Sequence, residues 1–206
     1  MKSIILMITL FCALQSSNAQ SVIDLEKFSA KDDVNALLKD KSPSTESRQI
    51  PTTLPAITTR AVQHFAFGTV KLTAGGEAGP ADAEASKISF LYRNAQQKEV
   101  VGLAIMLEKT AESKLLGNYI AQHYGKATML TKMPAANSKG VIAGYPARSY
   151  HDAKRKQTVI VADSYNVKNK KPSLATWVFI INDGVEAINA GIEGSVVKVL
   201  TEMYTQ

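Results

Sequence analysis

Apolar residues change their period several times along this chain, and each change marks an element. The first run, Ile4 to Leu14, follows Lys2 and precedes Ser17-Asn18-Ala19, which is the n-h-c layout of a secretory signal with cleavage after Ala19. It is shorter than the ~20 apolar residues that a membrane-crossing helix needs. From Asp24 to Leu38, Leu25, Phe28, Val34, Leu37 and Leu38 recur near helical spacing behind acidic residues, predicting an amphipathic helix. Lys41 to Arg60 then carries three prolines among many hydroxyl residues and reads as an extended linker, so the main domain is expected to begin near Ala61.

Strand-like runs follow. Between Ala61 and Thr73 the apolar phase slips by one beside Gly68, which predicts a strand with a bulge at Gly68. Gly75 to Ser86 reads as an acidic loop. Lys87 to Asn94 and Glu99 to Lys109 predict a hairpin. In its second strand Val101, Leu103, Ile105 and Leu107 alternate with Val100, Gly102, Ala104 and Met106, so both faces are apolar and the strand should be central. Thr110 opens a helix with Leu115, Leu116, Tyr119, Ile120 and His123 on one stripe, and Gly125 stops it. Four more strands are predicted at Ala127 to Met133, Gly140 to Tyr150, Gln157 to Asn166 and Leu174 to Asn182. Asp183-Gly184 then turns the chain into a return strand, Val185 to Asn189. Ile192, Val196, Val199, Leu200 and Met203 form the apolar stripe of a closing helix.

This order predicts an α+β fold: an antiparallel twisted sheet flanked by helices, preceded by an N-terminal helix and linker. The expected organisation is a signal peptide (1–19), a helix and Pro/Thr-rich linker (20–60) and a single α+β domain (61–206). The succession, with Gly140-Val141-Ile142-Ala143-Gly144-Tyr145-Pro146-Ala147, the Asp183-Gly184 hairpin and the helix from Gly191 to Tyr204, resembles the Mog1/PsbP-like fold. That resemblance implies a twisted antiparallel sheet with flanking helices and implies no shared catalytic residues.

Composition narrows the chemistry. Cys12 is the only cysteine and lies in the signal, so the cleaved chain has neither a thiol nor a disulfide. No Gly-x-Ser-x-Gly elbow, P-loop, dinucleotide glycine motif or His-Glu-x-x-His helix is present, and the spacing of His64, His123 and His151 suggests no metal site; no cofactor is expected. His123 and His64 read as hydrogen-bonded, partly buried histidines, and Asp152 beside His151 as a turn former. Trp177 reads as core packing. Tyr145, Tyr150 and Tyr165, on neighbouring strands, would line a concave face wherever the closing helix leaves the sheet uncovered.

Charge is unevenly spread. Lys126 to Lys171 holds ten Lys and Arg against Asp152 and Asp163, a net +8, whereas the chain as a whole is +6. Lys154-Arg155-Lys156 and Lys168-Asn169-Lys170-Lys171 fall in successive hairpin turns, which a meander places at opposite ends of its strands. The expected function is that of an exported, non-enzymatic domain, periplasmic or secreted. It would bind an anionic envelope component or acidic protein partner through Lys154, Arg155, Lys156, Lys168, Lys170 and Lys171. Nucleic acid is a weaker partner, because aromatics are not interleaved with these turns. The alternative expectation is a hydrolase using His151 or His123 with a nucleophile that the sequence does not single out.

Overall fold

The computed structural model describes residues 22–49, 52–73, 86–96, 99–108, 110–130, 146–168, 171–188 and 194–205. The signal with its cleavage point, the acidic loop 75–85, residues 140–145 of the Gly-Tyr-Pro-Ala run, and Ile192 lie outside the described residues.

Among the described residues the largest element is an eight-stranded antiparallel sheet in the order β2 (Ser44–Glu46), β3 (Ala56–Thr59), β6 (Lys87–Tyr92), β7 (Val100–Leu107), β11 (Lys171–Asn182), β10 (Gln157–Lys168), β9 (Ala147–Asp152) and β8 (Thr128–Met129). Its most apolar strands sit in the middle: every residue of β7 is buried. Among the described residues the edges are the short β2 and β8, and a short edge strand offers few backbone groups for pairing with another chain. A second, three-stranded sheet joins β1 (Ile23–Asp24), β4 (Phe65–Phe67) and β5 (Val70–Lys71). One face of the large sheet packs Phe90, Leu103, Ile105, Val159 and Val178 against Leu116 and Ile120 of helix α2 (Thr110–His123) and against Phe65 and Phe67. The other face packs Ala104, Ile160, Phe179 and Ile181 against Val196 and Leu200 of helix α3 (Val196–Thr205). Helices on an antiparallel sheet agree with the α+β expectation.

The N-terminal helix does not form as predicted. Residues 23–24 are β1, a turn follows, and helix α1 is confined to Val34–Leu38. The Asp24 side chain accepts from the backbone N–H of Glu26 (3.1 Å) and Gly68 (2.9 Å), which closes a turn instead of a helix, and Asp33 caps a new start by accepting from Asn35 and Ala36.

The expected linker is corrected too, because 41–60 supplies β2 and β3. Its hydroxyls find partners inside the fold: Thr58 meets Ser89 across the strands at 2.8 Å, and Thr59 donates to the carbonyl of Lys41 at 2.6 Å. Instead of a bulge, Gly68 begins the two-residue turn between β4 and β5, with Phe67 opposite Val70. Its φ of +56° suits glycine at that turn position. The bulge lies elsewhere. Leu91 pairs with Gly102 and Tyr92 with Val100, so Val101 is the extra residue; Val100 joins Leu103, Ile105 and Leu107, while Val101 crosses to the face of Ala104.

Helix α2 ends as expected, with Tyr124 N–H bonded to the carbonyl of Ile120 and Gly125 at φ +82°. Leu115, assigned to its apolar stripe, is instead 61% exposed. No return strand forms at 185–188. Val185 and Ala187 bond to Val196 and Gly194, the segment leading into α3, and only Glu186 bridges Ser195. Ser195 caps that helix through Lys198 N–H, and Met203 is exposed.

Candidate functional site

Where β7 begins, β11 ends and β10 begins, the segment 25–30 lies over the sheet and encloses a cleft of about 700 Å³. Leu25, Phe28, Phe67, Val100, Leu103 and Ile180 give it an apolar lining, and Lys27, Arg155, Lys156, Asn182 and Asp183 give it a polar rim. An apolar cavity with a few convergent polar groups is the usual form of a small-molecule site.

The rim is set by the turn between β9 and β10. Asp152 accepts from the N–H groups of Lys154 (2.9 Å) and Arg155 (3.1 Å), and Lys156 closes the turn at φ +52°. This geometry turns Arg155 inward. Its Nη1 donates to Tyr124 Oη at 2.9 Å and meets Glu26 Oε1 at 3.4 Å, while the guanidinium lies 5.7 Å from the centroid of the Tyr124 ring. Glu26, only 14% exposed, also accepts from Tyr119 (2.6 Å) and Tyr124 (3.2 Å). One carboxylate thus fastens the N-terminal segment to α2 and to the basic turn. The hydrogen bond to Glu26, with burial second, pushes the Tyr119 hydroxyl up to about 12. Burial first, and the Glu26 charge next, raise Tyr124 as well.

The six predicted binding residues divide. Arg155 is committed to Glu26, Asp152 and Tyr124, Lys154 is exposed at the turn, and Lys156 lines the cleft. Lys168 and Lys171 face each other in register at the far end of β10 and β11; their side chains, and Lys170, lie outside the described residues. Twelve residues of β10 separate the two turns, roughly 40 Å at ~3.4 Å per residue, so they do not merge.

His151 joins Asp183 at 3.0 Å and not its neighbour Asp152, which is occupied by the turn; Thr158 bonds the other Asp183 oxygen at 3.1 Å. His123 is exposed, contrary to its expected partial burial. It stacks on Tyr119 and bonds that residue's carbonyl at 2.8 Å. Among the described residues the hydrogen bonds of neither histidine reach a serine or threonine hydroxyl, and no three His, Cys, Asp or Glu side chains converge on a metal position. Trp177 stacks on Phe179 with Lys87 over its ring at 5.5 Å, a packing role. Tyr150, which would line a concave face only where the closing helix left the sheet uncovered, is buried at 2% on the α2 side; Tyr145 and the Tyr165 side chain lie outside the described residues.

Sequence reasoning missed Glu26, Tyr119 and Tyr124. The available signals were an acid between Leu25 and Phe28, and a tyrosine directly before the Gly125 stop. Comparison with protein-family models, curated proteins and solved structures gives no match. Among the described residues no helix is long and apolar enough to cross a membrane.

Proposed function

We propose that this chain is an exported, non-enzymatic binding module whose ligand is an anionic amphiphile seated in the cleft beneath residues 25–30. The observation that carries the reading is the union, in one cavity, of an apolar lining from Leu25, Phe28, Leu103 and Ile180 with the basic turn at its rim. The apolar body of the ligand leaves water against these side chains, and its anionic end meets Lys156, with exposed Lys154 adding long-range attraction. Arg155 contributes by holding the turn, since its own charge is already partnered. Export rests on the signal layout of 1–19. The Mog1/PsbP-like scaffold belongs to the same reading, supported by a large antiparallel sheet with helices on both faces.

Calorimetric titration with dodecanoate tests the proposal. Saturable binding is expected, weakened by salt, by Lys156→Ser and, independently, by Phe28→Ala. Dodecanoate binding that neither substitution changes would exclude this cleft. Cell fractionation with N-terminal sequencing tests export, and a chain beginning at Gln20 outside the cytoplasm is the expected product.

A further inference from the structure

A second cleft, of about 350 Å³, lies between helix α2 and the far half of the same sheet face. Its wall is the helix stripe Ser113, Lys114, Gly117 and Asn118; its floor is Arg148, Val161, Asp163 and Thr176. Such a volume is at the low end of the ~300–1,000 Å³ typical of ligand sites and suits one small ring.

Gly117 is the informative residue. Inside a fourteen-residue helix a glycine costs about 1 kcal/mol relative to alanine, which packing or a left-handed backbone normally explains. Neither applies, because Gly117 has no positive φ and a Cβ built on it meets nothing within 4 Å. What the glycine does is leave the helix surface open where it borders the cleft.

The groups around that opening are of two kinds. Lys114 and Arg148 are exposed cations with no ion pair among the described residues, and Arg presents a fork suited to a carboxylate. Asp163 uses one oxygen to accept from Thr176 at 2.8 Å, and together with Asn118 and Ser113 it offers acceptors and donors for hydroxyls. A bare inorganic anion gains from the cations but faces the Asp163 charge. A ligand with one carboxylate and several hydroxyls uses both sets.

We infer that the cleft between α2 and strands β9, β10 and β11 is a binding site for an acidic monosaccharide. The carboxylate sits on Arg148 and Lys114, the hydroxyls sit on Asp163 and Asn118, and the ring occupies the space above Gly117. This inference is independent of the amphiphile cleft.

Backbone-amide NMR of the purified protein with glucuronate, glucose and sulfate tests it. Saturable glucuronate shifts are expected at residues 113–118, 147–148 and 161–163, with glucose and sulfate at least tenfold weaker. Gly117→Leu should fill the opening and weaken glucuronate at least tenfold while leaving the melting temperature equal or higher. Arg148→Gln, an exposed change, should also lose tenfold, and it decides the matter if the leucine variant fails to fold. Equal shifts from sulfate and glucuronate, or wild-type affinity in Arg148→Gln, would overturn the assignment.

Discussion

Glu26 shows how much one side chain can organise. Its carboxylate accepts from Tyr119 and Tyr124 and pairs with Arg155, partners 93, 98 and 129 residues away in sequence. Because the Tyr119 hydroxyl is raised to about 12 from an unfolded value near 10, its protonated form is favoured by folding. The stabilisation is therefore complete below pH ~10 and is lost as pH climbs through the folded value; Tyr124, raised chiefly by burial, acts in the same direction. Urea denaturation should be flat from about pH 7 to 9 and weaken between about pH 10 and 12. Glu26→Gln should cost about 1–3 kcal/mol at neutral pH and make the alkaline decline shallower, with earlier phenolate absorbance at 295 nm. An alkaline slope identical in the two proteins would show that Glu26 does not hold these hydroxyls. None of this was readable in the sequence, because no local pattern links residues so far apart.

At the scale of elements, period and turn chemistry were informative where one face differs from the other or where a glycine stops a helix, as at Gly125. They failed where every position is apolar. In β7 both Val100 and Val101 are hydrophobic, so the pattern carries no phase, and the register with Tyr92 alone reveals the bulge. The composition of 41–60 misled for a different reason: hydroxyl residues resist burial only until a neighbouring strand supplies partners, as Ser89 does for Thr58. A chain begun at Ala61, the boundary expected from sequence, would lose β2 and β3. It would bare the backbone edge of β6, a strand whose Ile88, Phe90 and Leu91 are fully buried. Such a truncation is expected to be recovered as aggregate, whereas a chain begun at Gln20 is monodisperse by size-exclusion chromatography. A soluble, cooperatively melting fragment from Ala61 would mean that the first two large-sheet strands are dispensable.

On the scale of the whole molecule, the charge excess between Lys126 and Lys171 is split by the length of β10. Roughly 40 Å of strand is several times the ~8 Å over which exposed charges interact at physiological ionic strength. The two basic turns are consequently too far apart to form one patch, and of the described residues in them Arg155 and Lys156 line the cleft proposed for the amphiphile. Replacing Lys154 and Lys156 by serine should weaken dodecanoate binding roughly threefold, the scale of ~0.2–1 kcal/mol for an exposed charge pair. Replacing Lys168 and Lys171 should change it less than about twofold, and the quadruple variant should show the sum of the two free-energy changes, as distant sites do. Titration at low and at physiological salt separates the outcomes: the first pair loses its effect as salt rises, and the second has little effect to lose. Equal losses from both pairs would mean that the ligand contacts both ends of the sheet, which an occupant confined to the cleft cannot do.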